Sequence, residues 1–173
     1  MTGEKPDATG AERPPVTMID APMRLDYTVT AGRNLSRYLH ALADRKILGG
    51  RCGMCQKVYL PPRGSCPTCG IPYATEVEVA DHGTITTFCV INIPFEAAPF
   101  PPPYAAVAIL LDGADMPIFH LLRGIPHDQV RMGMRVRAVW VPDEELGPTL
   151  ASIRWFEPSG EPDADFQTYA SHL

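Results

Sequence analysis

Four cysteines fall into two CxxC pairs with the spacing of a metal site. Cys52 and Cys55 form the first pair, CGMC, and Cys66 and Cys69 form the second, CPTC, after ten intervening residues. Each CxxC turn presents two sulfurs in one direction, so two facing turns supply the four tetrahedral ligands that zinc prefers. The sequence therefore predicts one zinc ion bound by these four thiolates.

The same four cysteines have other possible explanations, which are paired disulfides, a redox CxxC, unrelated buried thiols, or iron in the same four-sulfur cage. Twin CxxC spacing favours a metal, held in a reducing compartment. Four thiolates complete the coordination shell and leave no position for a water molecule. The predicted zinc is therefore structural rather than catalytic.

No other residues form a recognisable catalytic set. Cys89 lies in the middle of a predicted strand, where a small apolar thiol is expected to fill the core. The five histidines are scattered, and the sequence has no GxSxG, no GxxxxGK[ST] and no GxGxxG motif that opens a helix. We therefore predict no catalytic residues and do not expect the chain to be an enzyme by itself.

Several elements must position the cysteines. Residues 1–30 are rich in proline and charge and are predicted to form a flexible arm. In the segment 31–50, Asn34 is a plausible N-cap and the helix is expected to end near Lys46. The apolar residues of that helix recur at helical spacing and are Leu35, Tyr38, Leu39 and Leu42. Residues 51–73, with two prolines between the CxxC pairs, are predicted to form the ribbon.

Beyond the ribbon the pattern is typical of β-structure. Five short apolar runs, rich in β-branched and aromatic residues, are separated by turn residues; they are 84–93, 104–111, 117–122, 135–141 and 149–156. Five strands at this spacing predict a small closed barrel within 74–157. Residues 158–173 are expected to be a solvated acidic tail. The fold class is therefore mostly β, with one N-terminal helix, a zinc ribbon and a C-terminal five-stranded barrel.

Composition limits the possible partners. The net charge is −5 and the isoelectric point is near 5.5, so no basic excess attracts phosphate backbones. No apolar run approaches the roughly 20 residues that cross a bilayer, and the first 15 residues are polar. These features predict a soluble cytoplasmic protein.

An ordered series of motifs resembles one known family. The series is 45-RKILGGRC-52, 59-YLPPRGSCPTCG-70, 83-GTITTFCVI-91 and 104-YAAVAILLDG-113. Over residues 30–156 the chain is similar to the acyl-CoA-associated zinc-ribbon plus OB-fold proteins, long described as a domain of unknown function. It departs from their usual pattern at Met54 and Gln56, beside the second cysteine, where relatives often have a small residue and glycine.

The resemblance implies a rubredoxin-like ribbon, an OB-fold barrel and a partnership with thiolase-fold enzymes. The expected function is a non-catalytic accessory subunit of a thiolase or lipid-transfer-protein-type aldolase that acts on acyl-CoA, in steroid side-chain or other lipid degradation. The expected assembly is a heterotetramer with a thiolase-fold homodimer. The residues predicted to contact that partner are Tyr27 in the N-terminal arm, and Phe95 and Phe100 in the proline-rich loop 94–103.

Two further functions remain open from the sequence. The first is a module that binds or channels acyl-CoA, with guanidinium groups on the CoA phosphates; the candidate residues are Arg123, Arg131, Arg135 and Arg137. The second is binding of single-stranded nucleic acid, which OB folds often perform through exposed aromatic rings in a basic groove. We expect the aromatic residues to be buried instead; they are Phe88, Tyr104, Phe119 and Trp140.

Overall fold

The computed structural model describes residues 15–19, 25–26, 28–96 and 98–173. The chain divides into two units, Met1–Thr30 and Ala31–Leu173. In the first unit the described residues contain no helix or strand. Most of the predicted arm, including Tyr27, lies outside the described residues, so its flexibility and its contact with a partner stay predictions.

The second unit begins with its one α-helix, α1 (Gly32–Ala43), whose apolar stripe buries Tyr38 and Leu42. The helix starts at Gly32, two residues before the expected N-cap Asn34. Ala31 occupies the cap position, and its side chain makes no capping hydrogen bond. It ends at Ala43, earlier than predicted. The N–H groups of Arg45 and Lys46 bond back to the carbonyls of Leu42 and Ala41, and Arg45 takes a φ of 57°. These bonds form a Schellman motif, which stops the helix.

A three-stranded antiparallel sheet carries the cysteines. Its strands are β1 (Ile47–Cys52), β2 (Val58–Tyr59) and β3 (Tyr73–Val79), with β1 in the centre. Gly50 faces the ring of Tyr73, and a Cβ at this position would lie 2.5 Å from that ring. The glycine therefore allows the aromatic ring to pack flat on the strand that leads to the first cysteine.

Five further strands close into a barrel. They are β4 (His82–Ile91), β5 (Tyr104–Leu111), β6 (Ile118–Leu122), β7 (Arg135–Trp140) and β8 (Ile153–Pro158). The order around the barrel is β4-β5-β6-β8-β7. This mostly β architecture of one helix, a ribbon and a five-stranded barrel confirms the predicted fold class. No helix in the described part of the chain is long and apolar enough to cross a bilayer.

One apolar core joins the helix, the ribbon sheet and the barrel. It includes Leu42 of α1, Ile47 of β1 and Leu60 after β2, together with the barrel residues Ile85 and Phe156. All five side chains are at most 1% exposed. The ribbon and barrel therefore do not fold around separate cores, and a change in one is felt in the other.

Four expectations about the barrel are wrong. Residues 149–152 do not belong to the last strand, because Leu150–Ser152 form a single 3-10 turn. Cys89 is exposed rather than packed in the core. Phe88 and Phe119 are 38% and 83% exposed, whereas Tyr104 is buried and Trp140 is partly buried. The burial of the exposed residues was inferred from apolar strand patterns, which do not reveal whether a strand has one covered face or two.

The C-terminal residues pack on the barrel instead of extending into solvent. Tyr169 is only 5% exposed, and the N–H of Ala164 donates to the carbonyl of Gly133 at 2.8 Å. The carboxylates of Glu161 and Asp163 accept hydrogen bonds from arginines. The acidic residues therefore pair with basic side chains of the barrel, while most residues of 158–173 remain exposed to solvent.

A substitution at Gly83 tests the packing of strands β4 and β5 in the barrel. A Cβ here would lie 2.2 Å from the backbone carbonyl oxygen of Leu110, and this atom cannot move without disturbing the ladder. We expect Gly83→Ala to lower the free energy of unfolding by about 3 kcal/mol, measured by urea denaturation. Gly147→Ala is the control, since no atom lies within 4 Å of its added methyl group. Equal stability of the two variants would contradict the described register of β4 and β5.

Candidate metal centre

The two CxxC segments fold into matching turns. In the first, the N–H of Gln56 donates to the carbonyl of Cys52 at 3.1 Å; in the second, the N–H of Gly70 donates to that of Cys66 at 2.9 Å. Gln56 and Gly70 have φ angles of 61° and 70°. Each turn therefore ends in the left-handed conformation, which brings the two cysteines of a pair to the same side.

The four sulfur atoms form a compact cage. The Sγ atoms of Cys52, Cys55, Cys66 and Cys69 all lie within 4.8 Å of one another, and those of Cys55 and Cys66 are 3.7 Å apart. A tetrahedron with Zn–S bonds of about 2.3 Å has sulfurs about 3.8 Å apart. The donor set and its dimensions therefore fit zinc, and within the described residues this is the one cluster of its kind.

Backbone N–H groups surround the sulfurs. The N–H groups of Met54 and Cys55 lie 3.4 and 3.5 Å from Cys52 Sγ, and that of Cys69 lies 3.4 Å from Cys66 Sγ. Such donors stabilise negative charge on sulfur and orient the ligand. The turns therefore hold the sulfur atoms in place and also supply N–H groups that stabilise their negative charge.

The close packing of the sulfurs moves the pKa values of neighbouring thiols in opposite directions. Desolvation opposes ionisation of Cys66, but hydrogen bonds from the N–H groups of Cys69 and Thr68 lower its pKa to about 6. Desolvation, followed by hydrogen bonding to Cys55 and Cys52, raises the pKa of Cys69 to about 12. Since zinc binds thiolates, metal binding releases protons from the thiols of the cage.

An aromatic layer supports the cage. Cys52 and Cys66 are buried against Tyr59, whose hydroxyl is 2.7 Å from Thr68 Oγ1. The rings of Tyr59 and Tyr73 stack with centroids 6.3 Å apart. The closed thiolate shell and this packing can hold the fold together, but they offer no open coordination position to a substrate.

The arginines predicted to bind CoA phosphates do not converge. Arg131 forms a bidentate pair with Asp163, and Arg137 pairs with Glu157 at 2.8 Å. Arg135 bonds to Asp112, and these hydrogen bonds hold the pKa of the Asp112 carboxyl below its usual range. Arg135 also bonds to Glu161 at 3.1 Å. Three of the four charges are thus already compensated by carboxylates, and phosphate binding stays a prediction.

The fourth arginine has a different environment. The guanidinium of Arg123 lies 4.2 Å from the ring centre of Phe100. Phe100 also packs against Tyr104 and Trp155, whereas Phe95 is 54% exposed. The sequence analysis missed Trp155 and its neighbour Arg154. Regular alternation along 153–156 would not have found them, because a register shift in the pairing with β7 interrupts it between Ile153 and Trp155.

The helix, the four-sulfur cage and the closed barrel define a zinc-ribbon protein with an OB fold. Two family models describe these parts: the rubredoxin-like zinc ribbon domain of ChsH2 matches residues 39–72, and the C-terminal OB-fold domain of ChsH2 matches residues 76–141. Together they span more than half of the chain. The chain therefore belongs to the ChsH2 family, and its four clustered cysteines form the zinc site of the ribbon.

Individual relatives agree with this assignment. A solved Ltp2-ChsH2(DUF35) aldolase contains a chain that matches with a TM-score of 0.56 and 25% identity, over 74% of this chain and 96% of that one. A DUF35-family protein of unknown function from Sulfolobus solfataricus matches with a TM-score of 0.52 and 18% identity, over 62% and 78% of the two chains. The second similarity shows the fold alone.

A curated protein also matches. It is a probable enoyl-CoA hydratase alpha subunit from Thermomonospora curvata, 30% identical over 130 residues. The matched region is 75% of this chain but only 40% of that protein. This chain thus corresponds to a minor part of the relative that carries the hydratase name.

Removal of one cage ligand tests the metal centre. We expect Cys66→Ala to reduce bound zinc from about one ion per chain to nearly none, and to lower the free energy of unfolding by at least about 3 kcal/mol, because metal binding and folding are coupled. Elemental analysis and urea denaturation measure both effects. Cys89→Ala is the control and should retain the metal. Well-folded wild-type protein without zinc would contradict the assignment.

Gln56 provides a second test of the ribbon. A residue with a side chain at φ 61° is disfavoured by roughly 1 kcal/mol relative to glycine, although Gln56 Nε2 recovers a hydrogen bond to the carbonyl of Gly53 at 2.8 Å. We expect Gln56→Gly to keep its zinc and to raise the midpoint of thermal unfolding slightly. Gly70→Gln, the reciprocal change in the second turn, should lower it. Destabilisation by Gln56→Gly would show that the side-chain bond outweighs the strain.

Proposed function

We propose that this chain is a non-catalytic accessory subunit of a thiolase-fold enzyme that acts on acyl-CoA esters. The observation that carries the proposal is the match to a chain of a solved aldolase complex, which extends over 96% of that chain. We propose a thiolase or lipid-transfer-protein-type aldolase as the partner, in steroid side-chain or other lipid degradation. We place the complex in the cytoplasm.

The chemistry of the described residues supports this role. No serine or cysteine side chain in the described part of the chain hydrogen-bonds to a histidine; the hydroxyl of Ser152 donates to the carbonyl of Gly147, and that of Ser159 donates to the carboxylate of Glu161. The buried nitrogen Nδ1 of His120 has no hydrogen-bond partner, and desolvation lowers the pKa of that ring. A nucleophile, a base and an oxyanion donor are therefore not assembled together.

The hydratase name of the curated relative fits the same proposal. Since this chain matches 40% of that protein, we assign the hydratase chemistry to the remainder and an accessory role to the shared part. A module that binds acyl-CoA directly is less well supported, because three of its four candidate arginines are paired with carboxylates. The net charge of −5 also disfavours nucleic acid.

Co-expression with thiolase-fold enzymes of the same organism tests the proposal. We expect one stable species in size-exclusion chromatography with light scattering, with two copies of each chain, since a twofold enzyme offers each docking site twice. The isolated chain should show no turnover of acyl-CoA esters. Separate elution of the two proteins, together with full activity of the enzyme alone, would contradict the proposal.

A further inference from the structure

Strand β5 is apolar on both of its faces. Val107 and Ile109 point into the barrel and are 0% exposed. The residues that alternate with them on the outer face are Ala106, which is partly exposed, and Ala108, which is already buried at 3% exposure. A strand with one face in water normally alternates apolar and polar side chains. The outer face of β5 therefore has the composition of a face that is covered.

The neighbouring strands continue this outer face. Ala106 pairs with Leu121, and Ala108 pairs with Phe119, so these side chains lie on the same side of the sheet. Phe119 is 83% exposed. On the other side of β5, the exposed Cys89 pairs with Ala106. The small side chains of Ala106 and Cys89 thus lie beside the large, exposed ring of Phe119.

A groove borders the protruding ring. It has a volume of about 430 Å³, and its lining includes Phe119, Leu150, and Tyr38 and Leu42 of α1. Leu150 is 62% exposed. The apolar surface is therefore concave next to Phe119, a shape that can accept side chains from another protein.

The other end of the surface is aromatic and positively charged. Phe100 lies on Tyr104 and Trp155, with ring centres 6.1 and 6.2 Å away. Arg123 stacks on Phe100, and Arg154 lies 5.1 Å from the ring centre of Trp155. Arginine and aromatic residues are the types enriched at the energetic centres of protein interfaces.

These two arginines differ from the other arginines of the barrel. Across residues 104–173, all described, Arg131, Arg135 and Arg137 each pair with a carboxylate, whereas Arg123 and Arg154 contact aromatic rings and no acidic group. In a chain with a net charge of −5, two uncompensated cations beside an apolar surface indicate an acidic complement on a partner. They stack on different rings, so they suit an extended acidic surface better than one phosphate group.

We propose that this outer face is the docking surface for the partner enzyme, which presents an apolar centre flanked by carboxylates. We call it the β5–β6 face; its residues are Phe100, Ala106, Phe119, Leu121 and Trp155, with Arg123 and Arg154 at the rim. This inference rests on the proposed function and adds the location and chemistry of the interface. Phe100, predicted as a partner contact from the sequence, belongs to this face.

Binding measurements with the thiolase-fold enzyme that co-purifies in the co-expression experiment test the inference. We expect Phe119→Asp to weaken binding at least tenfold, because it places a charge in the apolar centre. The double variant Arg123→Glu, Arg154→Glu should also weaken binding at least tenfold and reduce its dependence on salt. Zinc content and the unfolding midpoint should match the wild type in both variants, because the altered side chains are exposed.

Two matched variants serve as controls. Arg137→Glu reverses a charge on β7, a strand that neighbours neither β5 nor β6. Phe166→Asp places a charge at another exposed phenylalanine, 50% exposed, in the C-terminal segment. Each should change the dissociation constant less than twofold.

The outcomes separate this inference from the proposed function. If the wild type binds the enzyme and the β5–β6 variants bind equally well, the location is wrong while the accessory role stands. If the wild type does not bind the enzyme, the proposed function and this inference both fail. If the wild type binds single-stranded oligothymidine and the arginine variant abolishes that binding, the face belongs to nucleic acid and the inference is overturned.

Discussion

The path of strand β1 is the constraint on which the rest of the fold depends. Its first residue, Ile47, is buried in the common core, and its last residue, Cys52, is buried at the cage. Because both ends are fixed, the position of the metal cage sets the position of the ribbon against the barrel. A structural zinc ion at one end therefore stabilises packing well beyond its own ligands, since binding energy contributes directly to folding.

The sequence predicts the cage well because the cage is encoded locally. Two CxxC turns carry their own backbone donors, and the left-handed residue that closes each turn immediately follows the second cysteine. The barrel strands are also predictable from their apolar runs and turn residues. The extent of the helix is harder to predict. Ala31, at the N-cap, supplies no capping side chain, and the left-handed residue after the helix end is Arg45 rather than a glycine.

Long-range features could not be predicted. The acidic residues after Glu157 pack on the barrel because Arg131 and Arg135 lie opposite them, and no local pattern encodes that pairing. Cys89 and Phe119 were misplaced for a related reason. An apolar run predicts that a strand is covered on both faces, but it does not show whether the second cover belongs to the same chain.

The distribution of charge completes this argument. Around β7, arginines and carboxylates neutralise one another within the chain, and Tyr169 closes the surface with an apolar contact. Around β5 and β6, the side chain of Phe119 is exposed, and the nearby Arg123 stacks on Phe100 without an ion pair to a carboxylate. One side of the barrel thus has its charged groups neutralised within the chain, whereas the other side has a charged group that is not neutralised. The exposed apolar and cationic residues of that second side are the ones that we propose contact another protein.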